Sequence, residues 1–233
     1  MTLSGCGAAF LLAALAAAPA RAQARSAQVS ALEGTAQRSR AGASGGALRV
    51  GSALSEGDTV ETRAASRLEI RFADGSVLRL GPSARLTLVE AHFTGAAPRR
   101  LSARLFFGKL WAKVTSVLQG EQKFQVETEN AVAGVRGTTF RVDANADKSV
   151  LVRVYDGQVA VGKGAPPPQG GGRREVPGPQ EVTREQWEKV VGRQMQILVA
   201  ADGTPGEPEP FSPDAEQDAP FVRWNQERDA APK

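Results

Sequence analysis

The 233-residue sequence holds one cysteine, one histidine, one tyrosine and two methionines. A lone cysteine, Cys6, cannot close an intramolecular disulfide. A lone histidine, His92, supplies neither a histidine-based metal set nor a Ser-His-Asp arrangement, since a zinc site needs three or four ligands at suitable spacing. Glu90 and Thr94 alternate onto its strand face, but no second base accompanies them, so His92 reads as a surface residue near a turn. The run Gly170-Gly171-Gly172 follows prolines instead of linking a strand to a helix, so it is no phosphate loop. These absences argue against an enzyme and against any cofactor or metal.

Long apolar runs are also missing. The most apolar stretch, residues 8–18, is well short of the roughly 20 residues that span a bilayer, so no permanent transmembrane anchor is expected. It is followed by Ala20-Arg21-Ala22, a small-x-small cleavage pattern, and residues 1–22 read as a secretory signal peptide. Met1 to Gly7 contains no Lys or Arg, which leaves the amino terminus to supply the positive charge of that segment. Leu3-Ser4-Gly5-Cys6 resembles a lipoprotein box, but a lipobox cysteine follows its apolar run and Cys6 precedes one. If Ala22 ends the leader, the mature chain has no cysteine. A periplasmic or otherwise extracytoplasmic location is the expectation.

Charge of one sign is not abundant either. The chain carries 29 Lys and Arg against 25 Asp and Glu, a formal net charge of +4, and loss of the leader removes Arg21 from the basic side. The arginines are spread along alternating strands, without a basic patch interleaved with aromatics, so no nucleic-acid partner is expected. An excess of this size speaks to solubility.

What is present is β-strand pattern. From about residue 26 to 162 short alternating runs are separated by Gly, Asp, Asn and Ser turns, as in an all-β domain. Leu68, Ile70 and Phe72 alternate with Arg67, Glu69 and Arg71, which predicts a strand with one apolar and one solvated, charged face. A three-residue loop at Ala73-Asp74-Gly75 would pair Ile70 with Leu78, Leu68 with Leu80 and Glu69 with Arg79, keeping the apolar face intact. A two-residue Asp156-Gly157 loop would similarly pair Val154 with Val159 and Val152 with Val161. Leu101, Ala103, Leu105 and Phe107 form one apolar row, and Leu110, Ala112 and Val114 continue it beyond Gly108.

The succession Gly57-Asp58-Thr59-Val60-Glu61-Thr62, Arg67-Leu68-Glu69-Ile70-Arg71-Phe72-Ala73-Asp74-Gly75-Ser76, the Gly108 strand turn, Val135-Arg136-Gly137-Thr138 and Tyr155-Asp156-Gly157-Gln158-Val159 resembles the FecR-type domain. The resemblance covers roughly residues 50–162. It implies an all-β extracytoplasmic module of short strands and hairpins, partly solenoid-like. Its best-known members form the periplasmic half of a transducer that senses an outer-membrane transporter and controls an extracytoplasmic-function sigma factor. Those members carry a sigma-binding segment and a transmembrane helix ahead of the β-domain, and neither is found ahead of it in this sequence. The sigma-binding role is therefore not expected to carry over. The expectation is a noncatalytic envelope module that binds or scaffolds a protein partner or a cell-wall polymer, with an accessory subunit of a signalling or export system as the alternative.

Val135, Arg136, Gly137, Thr138, Asp74, Gly75, Asp156 and Gly157 are the motif residues that would serve structure or interface. Arg136, flanked by glycines that permit close backbone approach, either fixes the turn through carbonyls or a neighbouring acid, or clamps a carboxylate. Beyond the β-domain, residues 163–180 read as a Pro/Gly linker. Residues 181–201 read as a short helix-strand unit: Thr183-Arg184-Glu185-Gln186 fits a capping box, Trp187, Val190 and Val191 give an apolar stripe, and Met195, Ile197 and Val199 suggest a strand. That unit is too small to fold alone and is expected to dock through Trp187. Residues 202–233, rich in Pro, Asp and Glu, read as mostly disordered, with Phe221 and Trp224 as tail anchors for a partner or for the chain's own core.

Overall fold

Backbone polar groups in β-structure must be paired laterally, and here they are paired in two sheets that share one strand. The computed structural model describes residues 27–40, 43–93, 99–115, 122–135, 137–164, 189–213 and 219–231. Residues 1–22, read as a leader, Arg136, most of the stretch read as a Pro/Gly linker, the capping-box sequence and Trp187 lie outside the described residues.

The front sheet has the order β4 (Ala53–Leu54), β1 (Ala27–Glu33), β6 (Arg67–Phe72), β7 (Val77–Leu80), the second half of β9 (Arg99–Lys113), β12 (Thr139–Ala144), β13 (Val150–Asp156), β16 (Met195–Val199) and β17 (Glu209–Pro210). The back sheet runs β3 (Ala43–Ala47), β2 (Ala36–Arg40), β5 (Thr59–Thr62), β8 (Arg85–His92), the first half of β9, β10 (Gln122–Glu127), β11 (Ala131–Val135), β14 (Val159–Lys163) and β15 (Lys189–Val191). Among the described residues every strand pairing is antiparallel except β9 with β10. The fold is all-β, as the alternation requires.

One apolar core lies between the sheets. Ile70, Leu78, Ala112, Phe140, Val152 and Ile197 on front strands join Val60, Leu86, Leu105, Val126, Val161 and Val191 on back strands in a single buried cluster. Branched and aromatic side chains suit such half-buried pleated surfaces. β9 crosses between the sheets at Gly108, whose φ is +93°; a Cβ there would stand 2.5 Å from that of Ala84, so only glycine fits. The register against β8 slips between Arg85 and Leu86 just before this corner. That bulge adds a residue and changes the face that the strand presents. Phe107, expected in the apolar row, is consequently 41% exposed, and Phe106 is 50% exposed.

The β6–β7 hairpin has the register expected from its sequence, with Leu68 opposite Leu80, Glu69 opposite Arg79 and Ile70 opposite Leu78. Gly75 has a φ of +85°, and the Asp74 carboxylate accepts bonds from the Ser76 N–H and hydroxyl, both 2.9 Å. The expected hairpin at Asp156-Gly157 does not form. β13 lies between β12 and β16 in the front sheet, whereas β14 lies between β11 and β15 in the back sheet. Both sheets face the same core, so the alternation of Val152, Val154, Val159 and Val161 is satisfied as well by a corner as by a hairpin.

The C-terminal third also differs from the sequence reading. Lys189–Val191, read as helix, is the edge strand β15, because Val191 fills the core beside Val159. Met195–Val199 is a strand, as its alternation suggests. The segment read as a disordered tail contains β17 and the helix α1 (Ala219–Ala230). Its apolar side chains find a complement that sequence periodicity does not reveal, namely the outer face of the front sheet. Among the described residues no helix is long and apolar enough to cross a membrane.

Candidate functional site

Strand register places a row of side chains straight across the outer face of the front sheet. Glu69 of β6 stands opposite Arg79 of β7, which faces Trp111 of β9, then Arg141 of β12, Arg153 of β13, Gln196 of β16 and Glu209 of β17. Period-two alternation puts all of them away from the core. The sequence predicts that the charged face of β6 is solvated. Instead, Glu69 and Arg79 are buried, because α1 lies over them.

Trp111 forms a second apolar cluster with Phe221, Val222 and Trp224 of α1, and Tyr155 packs against it. The Trp111 and Tyr155 ring centroids are 4.3 Å apart, and Phe211 meets Tyr155 edge-on at 5.3 Å. Arginines flank the aromatics: Arg141 lies over Phe221, Arg153 over Phe211, and Arg67 and Arg228 over Trp224, at 5.1 to 5.9 Å. Such cation–π contacts gain strength where water is excluded.

A polar network joins helix to sheet. Glu69 accepts bonds from Arg79 Nε (2.7 Å), Arg228 Nε (3.0 Å), Ser30 Oγ (2.5 Å) and Arg71 Nη2 (3.0 Å). Burial by itself raises the cost of the Glu69 charge, but the bonds from Ser30, Arg228 and Arg79, with the Arg79 charge, outweigh it and bring its pKa from 4.5 to about 2. Arg79 Nη1 reaches Asp229 Oδ1 at 2.8 Å, and Trp111 Nε1 donates to Asp229 Oδ2 at 3.1 Å. An acid in the last turn of a helix opposes the macrodipole, so Asp229 gains its stabilisation from the sheet. Arg141 grips Asp143 in a bidentate pair at 2.7 and 2.8 Å. At the C-terminal end of α1 a groove of about 220 Å³ opens between Arg71, Lys113, Thr115, Arg228, Glu69 and Asp229.

The motif residues gather at the end of the sheet next to that groove. Val77, Lys113, Thr139 and Asp156 share one level of the register. Val135 ends β11, Gly137 has a φ of +59°, and Thr138 is buried as the chain crosses to β12. The Thr138 hydroxyl donates to the Gln158 carbonyl at 2.9 Å. A Cβ on Gly157 would lie 2.9 Å from both the Gly137 carbonyl oxygen and the Thr138 hydroxyl. The two corners therefore stack, and the end of β9 ties them to the Asp74-Gly75 turn: Val114 N–H bonds the Thr138 carbonyl at 2.9 Å and Thr115 N–H bonds Ser76 Oγ at 3.0 Å. Asp156 itself is exposed, 3.9 Å from Arg193.

His92 stands elsewhere, on an exposed edge 3.7 Å from Glu56. Among the described residues no group of three His, Cys, Asp or Glu could hold a metal. Sequence reasoning pairs Glu69 with Arg79 and names Phe221 and Trp224 as anchors, but it missed that Trp111 and Asp229 join them in one helix-to-sheet network. The available signal was Phe221-Val222-x-Trp224, an apolar cluster inside a charged end, set against a β6 strand whose outer side offers arginine and glutamate.

A two-sheet, all-β domain with stacked glycine corners is the class that this geometry defines. Residues 58–160 match the family model described as FecR protein, and the chain carries a FecR domain. Two crystal structures of a protein provisionally described as an anti-sigma factor, from Parabacteroides distasonis, are similar at 20% identity and a TM-score of 0.47, over 72% of this chain and 64% of that one. The chain thus spans less than two thirds of that solved chain. No curated protein matches the sequence. β1–β4 and everything from β15 to α1 lie outside the matched stretch.

Proposed function

We propose that this chain is a noncatalytic extracytoplasmic module that binds or scaffolds a protein partner in the cell envelope. The FecR domain at residues 58–160 carries the reading, because it ties the chain to a family of signalling regulators that work through protein partners. The leader pattern at residues 1–22 supports export. An exported chain would act on envelope proteins and would not itself grip a sigma factor in the cytoplasm. The arginine and aromatic row on the front sheet has the composition of a protein-binding hot spot, although in this structure α1 covers Arg79, Trp111 and Arg141.

A cell-wall polymer as ligand, and a place as accessory subunit of a signalling or export complex, are the competing readings. Photo-crosslinking in cells, run beside sedimentation of the purified protein with isolated peptidoglycan, separates them. One discrete protein adduct without saturable sedimentation is the expected result. Saturable sedimentation without a protein adduct would replace the protein partner with a polymer.

A further inference from the structure

We propose that the α1-covered face of the front sheet is a recognition surface, and that α1 holds it in cis until a partner segment of the same chemistry displaces it. The partner segment is a short helix bearing two aromatics at positions i and i+3 and a carboxylate at i+8, as Phe221, Trp224 and Asp229 do. This rests on the binding-module reading above and specifies its surface.

What lies under the helix differs from an ordinary core face. A helix that completes a core covers apolar side chains and cannot leave without exposing them. Here the face beneath is made of Glu69, Arg79, Arg141, Lys113 and Asp229-binding Trp111, with Tyr155 beside it. If α1 departs, the charged groups regain water, and the apolar surface uncovered is confined to Trp111 and Tyr155 on the sheet and Phe221, Val222 and Trp224 on the helix. The sheet keeps its own core, because the cluster around Trp111 is separate from the cluster between the sheets.

The helix has the character of a ligand. At 12 residues it is too short to be stable as an isolated helix in water, so it folds by docking. It is held by a few aromatic plugs and charge-assisted bonds: Trp224 Nε1 to Glu33 at 2.6 Å, Arg228 to Glu69 at 3.0 Å, and Arg79 to Asp229 at 2.8 Å. This is the pattern of a helix laid on a groove through spaced anchors. The fit is also incomplete. Asn225 is fully buried, and its Oδ1 finds no hydrogen-bond partner among the described residues. A buried acceptor left unpaired forfeits its hydration, so a segment with an apolar residue there would fit better than α1 does.

Hydrogen exchange on the intact chain tests this, with and without a synthetic peptide of residues 219–231. At about 5 mM the peptide rivals the effective concentration of a segment tethered by a short linker. The peptide should speed exchange of the Val222–Asp229 amides at least about twofold while β7, β9 and β12 stay protected, with more effect from an N225L peptide and none from one carrying F221A and D229N. If the unmodified peptide leaves α1 exchange unchanged, the surface is not a recognition surface for such helices and the proposal falls. That failure would leave the crosslinking test of the binding-module reading untouched, and a failed crosslink would not affect the exchange result.

Discussion

Glu69 shows how a charged residue comes to be buried without being a defect. Its four donors hold it ionised, so its folded pKa of about 2 lies below the ordinary 4.5. The linkage follows in sign: a depressed carboxylate contributes stability that is fully present above about pH 4.5 and is lost as pH falls through that value toward 2. Glu127 on the back sheet shifts the same way; burial opposes its charge, while bonds from Arg104, Ser102 and Gln125 prevail. Urea titrations of wild type and Glu69→Gln should differ by about 2–3 kcal/mol at pH 7, and the gap should shrink as pH drops below 4.5. A constant gap would show that the network does not depend on this charge. Gly108 gives a second residue-scale prediction. Gly108→Ala puts a methyl group against Ala84 at a positive φ, so a loss of about 2 kcal/mol or more is expected in thermal melts. At this scale the sequence was informative: the Glu69–Arg79 pairing, the Asp74-Gly75 turn and its positive φ follow from alternation and turn chemistry alone. That Glu69 would be covered could not be read, because alternation tells which face a residue takes and is silent on what lies over that face.

Among elements, the distinction that matters is between strands that build the core and the helix that is laid on it. Phe221→Ala with Trp224→Ala should release α1, weaken the near-ultraviolet dichroism of Trp111 and Tyr155, and lower the melting temperature while the far-ultraviolet β signal persists. Loss of the β signal as well would mean that α1 is part of the cooperative core. The hairpin and corner readings of Asp156-Gly157 show where element-level inference stops. The same valine alternation serves a hairpin in one sheet or a step between two, and only the pairing of β13 with β12 and β16 decides. Lys189–Val191 was similarly ambiguous, since a three-residue apolar pair fits either period until β14 supplies an open edge.

For the whole molecule, the family motif and the helix-bearing face are neighbours. The stacked corners at Gly137-Thr138 and Gly157 and the Asp74-Gly75 turn sit at the end of the front sheet where α1 terminates. The motif thus fixes the rim of the surface, while the surface itself is written in residues that are individually ordinary: a glutamate, three arginines and a tryptophan on five different strands. Export is proposed from the pattern at residues 1–22, and it predicts that intact mass of the protein from its native host shows an N-terminus at Gln23; a mass retaining residues 1–22 would contradict export by that leader. The most direct measurement of the account is photo-crosslinking in cells from Lys113, beside the end of α1, compared with Val190 on the outer edge of the back sheet. One discrete protein adduct is expected from Lys113, stronger in the variant with α1 released, and none from Val190; an adduct from Val190 alone, or none from either position, would contradict partner binding at the front face.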